Sequence, residues 1–187
     1  MAHHSSSVVH SVHFYDQDEA LILRLRSIIC SAIDAGNSVL IVATPEHRKQ
    51  LAAALMNHQQ DAQGLEKDGR LILRDAHETL SNFMINGSPD RELFVASIGE
   101  LLAIAKQTAW NSNHGLTVFG EMVAVLWKEG NTSGGLKLEA LWNDLLSDRA
   151  FHLHCAYPRS LFADNGDAAS IEAICDGHSH VIGYAVN

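Results

Sequence analysis

The chain reads as an α/β domain of three layers, a mainly parallel β-sheet with helices on both faces. Three features say so. Strand-like runs alternate with helix-period segments along most of the chain, the pattern of repeated β-α-β units. The run SVLIVAT at 38–44 is apolar without alternation, as in a strand buried on both faces. The length, 187 residues, suits one domain able to bury its own core. No linker, low-complexity tract or internal repeat divides residues 8–187.

The first element is a strand near Val8–Tyr15, loosely alternating and rich in β-branched and aromatic residues. Asp16 or Asp18 can cap a helix over roughly Glu19–Ala35, where Leu21, Leu25, Ile28, Ile29 and Ala32 follow helical spacing, and Gly36 suits its stop. After the strand at 38–44, Pro45 fits the first turn of a helix running toward His58. RLILRDA at 70–76 is a third strand, followed by helices at about Glu78–Ile85 and Arg91–Trp110. GLTVFGE at 115–121 is a fourth strand, and LKLEALWNDLL gives a helix over Leu136–Leu146. AFHLHCAYP at 150–158 is a fifth strand, DAASIEAICDG a last helix and SHVIGYAV a final strand.

Composition removes several function classes. Nearly half of the residues are apolar and about a fifth charged, as in ordinary globular domains. A net charge of −9 and the lack of any Lys/Arg cluster argue against a nucleic-acid backbone binder, which needs a basic face. No apolar run approaches about 18 residues, so no membrane span is expected. The N-terminus lacks a basic start followed by a long apolar run, so no signal peptide is expected, and residues 1–7 are expected to be disordered. Three cysteines, Cys30, Cys155 and Cys175, fit reduced thiols in a cytoplasmic protein.

In open parallel sheets, ligands bind beyond the carboxyl ends of the strands. Tyr15, Thr44, Asp75, Glu121 and Tyr157 end strands here. The junction LIVATPEHRKQL at 40–51 is the kind of strand–turn–helix unit that holds phosphate in many α/β proteins. A working phosphate loop needs G-x-x-x-x-G-K-[ST], whose backbone amides wrap the phosphates. This chain has Thr44-Pro45-Glu46-His47-Arg48-Lys49 instead. The glycines are missing, the turn is short, Pro45 removes a donor and Glu46 adds an anion. ATP hydrolysis is therefore not expected.

HFYD at 13–16, AGNSVLIVAT at 35–44, FGEMVAVLW at 119–127, LKLEALWNDL at 136–145, CAYP at 155–158 and ICDGHSHVI at 174–182 occur in this order. The series resembles the MEDS family, the methanogen/methylotroph DcmR sensory domain, from about His10 to about Ile182. The resemblance implies a prokaryotic sensory domain that binds a small molecule, proposed to be a hydrocarbon derivative. It also implies a scaffold like the RecA/KaiC nucleotide-binding core, here with a degenerate phosphate loop. Signalling would pass to a separate partner, a histidine kinase or response regulator. A homodimer through exposed apolar helix faces is compatible with the sequence but not specified by it.

The candidate ligand-binding residues are His13, Tyr15, Thr44, His47, Glu121 and Tyr157. Glu121 falls in the family's G-E-M-V segment and is read either as a crevice carboxylate or as a capping residue at a strand end. Tyr157 offers a ring and a hydroxyl to a ligand or packs under the next helix. Trp142 is expected in the core and Glu139, three residues away, in solvent. His152 and His154 share one strand face, Cys155 takes the other, and Cys175, His178 and His180 follow. Cys175-x-x-His178 can supply two zinc ligands, but its partner spacing is not an established one, and His152 and His154 would complete a site only if the last strand ran alongside, so neither metal nor cofactor is expected. A residual nucleotide hydrolase using Glu121 and a ligand-free protein-interaction domain are the alternatives to a sensor.

Overall fold

The computed structural model describes residues 9–56, 61–107, 115–162 and 168–184. The expected disorder of residues 1–7 lies outside them. The elements run β1 (His10–Tyr15), α1 (Asp18–Asp34), β2 (Ser38–Ala43), α2 (Pro45–Met56), α3 (Ala62–Lys67), β3 (Leu71–Asp75) and α4 (Ala76–Ser81). A short hairpin of β4 (Met84–Ile85) and β5 (Ser88–Pro89) leads to α5 (Arg91–Gln107), β6 (Leu116–Gly120), α6 (Met122–Lys128) and α7 (Thr132–Asp148). β7 (His152–Pro158), a 3-10 turn (Arg159–Phe162), α8 (Ala168–Asp176) and β8 (His180–Ile182) complete the chain.

The main sheet has six strands in the order β3-β2-β6-β7-β1-β8, all parallel. The interior strand β2 is buried throughout. Leu40 and Val42 face one apolar layer, Val39 and Ile41 the other. That double burial is why β2 reads as an unbroken apolar run. Helices α1, α2 and α3 cover one face, and α4 to α8 cover the other. Among the described residues no helix is long and apolar enough to cross a membrane.

Differences from the sequence reading are local. The helix expected over Glu78–Ile85 stops at Ser81, because Asn86 (φ 49°) and Gly87 (φ 78°) turn the chain back as a hairpin. Asn-Gly between paired strands is a strong hairpin signal, and MINGSP at 84–89 carries it. Two helices were not expected: the short α3, and α6, whose residues Met122–Trp127 are all buried and so show no amphipathic period. Helix α7 begins at Thr132 rather than Leu136, where the Asn131 side chain accepts a hydrogen bond from Gly134 N at 3.0 Å. β8 is shorter than the expected SHVIGYAV segment. The expected ends of two helices, 57–58 and 108–110, lie outside the described residues.

Candidate functional site

The strand order makes a crevice. From β2 the chain moves outward to the edge strand β3, while from β6 it moves the other way to β7. Adjacent strands whose connections diverge leave a gap beyond their carboxyl ends. Into this gap come Thr44 and Pro45 from the end of β2, His47 from the first turn of α2, and Glu121 from the end of β6. Tyr15 and Asp18 arrive from β1 and α1. The cavity measures about 660 Å³ and is lined by Tyr15, Thr44, His47, Glu121, Lys128 and Pro158, among others. That is room for a small organic molecule.

His47 and Glu121 form its centre. Glu121 N donates to Val42 O at 3.0 Å, which pins the carboxylate beside β2. Glu121 precedes α6 without capping it through its side chain, so its carboxylate is free to meet His47. His47 Nδ1 lies 3.0 and 2.9 Å from the two Glu121 oxygens, and both residues are buried. His47 Nε2 lies 3.4 Å from Asp18 Oδ1. The hydrogen bond to Glu121 raises the His47 pKa against the opposing effect of burial, and Asp18 adds to the rise. With a carboxylate at each ring nitrogen, the imidazole serves as a charged bridge between α1, α2 and β6 rather than as a free base. The Tyr15 ring stands 6.5 Å away, edge to face, and burial raises its hydroxyl pKa, with Glu121 and Asp18 adding to the shift.

Four of the six sequence candidates, Tyr15, Thr44, His47 and Glu121, thus meet in one crevice. His13 lies 6.1 Å from Tyr15, ring to ring, but borders a separate narrow gap with Arg24 and Phe119. Tyr157 is not a crevice wall. It is fully buried on the opposite face, its ring against Phe14, Trp127 and Phe162. Strand parity sends Tyr157 toward α7, and it is the next residue, Pro158, that reaches the cavity. Asp75 caps α4, accepting from His77 N and Glu78 N, and pairs with Arg48 at 2.8 Å. Burial opposes its charge, but the two amides and the guanidinium outweigh it and hold the carboxyl below its usual range.

The histidines and cysteines sort differently from their sequence grouping. His152 and His154 line a groove on the α1 side of the sheet, with Arg24 and Thr117. Cys155 and His178 meet on the other side, joined by His10 and Glu139. Their ligand atoms all lie within 4.8 Å of one another. Glu139, expected in solvent, is buried and accepts from the Tyr157 hydroxyl at 2.7 Å. Burial pushes the Glu139 carboxyl and the Cys155 thiol up, and the His178 imidazole down to about 4. Burial also lowers His10, with a further contribution from His178. His10 lies in no motif, and Glu139, although within LKLEALWNDL, stands at no metal-ligand spacing from another donor. The available signal was Glu139 itself, a carboxylate three residues from Trp142 and bordering the apolar stripe of Leu138, Leu141, Trp142 and Leu145.

No curated protein and no solved structure matches the chain. The family model for the methanogen/methylotroph DcmR sensory domain matches residues 9–178. Since that match takes in the whole sheet up to the turn before β8, the chain belongs to the MEDS family of sensory domains.

Proposed function

We propose that this domain senses a small molecule in the crevice between the ends of β2 and β6 and passes the signal to a separate partner in the cytoplasm, a histidine kinase or response regulator. The observation that carries this reading is the buried His47–Glu121 pair in a cavity of about 660 Å³. Tyr15 and Pro158 supply apolar area, and Thr44, His47 and Glu121 supply polar atoms that fix orientation. A short hydrocarbon derivative with one polar group suits that mixture. Because His47 ties three elements together, a ligand that displaces Asp18 or Glu121 from the imidazole would shift α1 against α2. That is a means of altering a partner-facing surface.

The scaffold reads as a relative of the RecA/KaiC core whose phosphate loop has been lost. In support, β2 passes into α2 through Thr44 alone, with Glu46 exposed in the first helical turn. No room is left there for a loop that wraps phosphates, and hydrolysis of nucleotides is not part of this reading. Native mass spectrometry of the full chain, with a thermal-shift panel of short alcohols, halides, carboxylates and Mg-ATP, tests it. A stabilising ligand whose effect is lost in both His47→Gln and Glu121→Gln supports the reading. Stabilisation by Mg-ATP alone would favour residual nucleotide binding. No response to the whole panel would favour a protein-interaction domain without a ligand.

A further inference from the structure

The second cluster has no part in the crevice, and it has the composition of a metal site. We propose that His10, Glu139, Cys155 and His178 hold one zinc ion between the sheet and α7. The four donors come from β1, α7, β7 and the turn after α8. Their spacing fits a single ion. Cys155 Sγ lies 3.6 Å from His10 Nε2 and 3.9 Å from Glu139 Oε2. Glu139 Oε2 lies 3.8 Å from His10 Nε2 and 3.6 Å from His178 Nε2. Tetrahedral zinc with ordinary bond lengths holds its ligands about 3.3–3.6 Å apart. These four pairs need to close by only a few tenths of an ångström, and the two remaining pairs, His178 with His10 and with Cys155, lie within 4.8 Å.

The surroundings turn the right atoms inward. His178 Nδ1 donates to the Ile174 carbonyl at 2.6 Å, and an oxygen with no proton can only accept. His178 Nε2 must then present its lone pair to the cluster. It is buried and has no hydrogen-bond partner among the described residues. His10 Nδ1 donates to Asn143 Oδ1 at 2.8 Å, which leaves its Nε2 lone pair pointing the same way. Glu139 Oε1 is occupied by the Tyr157 hydroxyl at 2.7 Å, so Oε2 is the free oxygen. Each ligand but the cysteine thus has an outer partner that sets its orientation, a common feature of metal sites. Charge agrees: zinc displaces the thiol proton, and a dication with one thiolate, one carboxylate and two neutral imidazoles sums to zero, which suits a buried position. Four protein ligands leave no open position, so the site is closed rather than catalytic.

The test uses the full chain, stripped with chelator and reloaded with zinc or cobalt(II). One equivalent of zinc is expected. The cobalt form should show the visible absorption of a tetrahedral ion and a near-ultraviolet thiolate band. Cys155→Ser should abolish that band, and His178→Gln should reduce zinc affinity at least tenfold. Asn143→Ala, which touches only an outer partner, should reduce it about 10–100-fold. Replacing Cys30 and Cys175 together by Ser, or His152 and His154 together by Gln, should change neither metal content nor spectrum. If the cluster variants do not fold, the cobalt spectrum of the Cys30/Cys175 double variant decides, because Cys155 is then the only thiol. No stoichiometric zinc in the reloaded wild type, or an unaltered cobalt spectrum in Cys155→Ser, would overturn the proposal. Neither outcome bears on ligand binding in the crevice.

Discussion

At the residue scale, His47 makes stability depend on pH in a stated direction. Its pKa is raised in the folded state, through Glu121 first and Asp18 after it. The folded protein therefore holds this proton more tightly than the unfolded chain. The resulting stabilisation is complete below about pH 6.5, the value for a free imidazole, and is lost as pH rises through the raised folded value. The difference in unfolding free energy between wild type and His47→Gln should be about 1–3 kcal/mol at pH 6 and should shrink toward pH 9. Denaturant titrations at several pH values would measure it, and a difference that grows with pH would contradict the charged bridge. Tyr157 gives a second case. Tyr157→Phe leaves a buried oxygen of Glu139 without its donor, which should cost about 1–3 kcal/mol. Because Tyr157 lies outside the crevice, the same change should leave affinity for a crevice ligand within twofold of wild type. A titration of both proteins with any stabilising compound checks that.

At the element scale, the packing of α6 on α7 depends on a residue with no side chain. A Cβ on Gly135 would lie 2.5 Å from the Trp127 ring, which is itself buried. Gly135→Ala should therefore destabilise the protein by about 1–3 kcal/mol through overpacking, read as a lower denaturation midpoint with unchanged slope. Elements of this kind were also the hardest to read. β2 and α1 were legible because each has a single strong pattern, one unbroken apolar and one helical in period. α6 was not, because a helix buried all round offers no stripe, and MVAVLW could as well be a strand. The β4–β5 hairpin is legible in principle from Asn86-Gly87, but the helical spacing of the residues before it runs on past Ser81 and masks the turn.

At the scale of the whole molecule, the sequence carries the class of fold but not the order of strands. Alternation of strand and helix implies a parallel sheet, whereas the order β3-β2-β6-β7-β1-β8 follows from contacts between distant segments. That order is what joins His47 to Glu121 and His10 to Cys155. The crevice could be anticipated because strand ends are visible in sequence. The meeting of His10, Glu139, Cys155 and His178 could not, because it depends on that strand order and on a shared buried layer, although Glu139 on its apolar helix face was a signal of its own. Since β2 enters α2 without a phosphate loop, the purified chain should release phosphate from Mg-ATP at the background rate. Steady turnover abolished by Glu121→Gln would contradict this.

The position of β1 bears on how the chain is made. β1 pairs with β7 on one side and β8 on the other, with His10 opposite Leu153 and Ser11 opposite His180. β1 therefore leaves the ribosome well before either of its neighbours and is among the last strands of this sheet to be paired. Contacts of such long separation close slowly, and the growing chain must hold β1 unpaired until β7 and β8 are synthesised. Nascent chains stalled at Ala150 should remain open to protease, and completion of β7 should bring resistance.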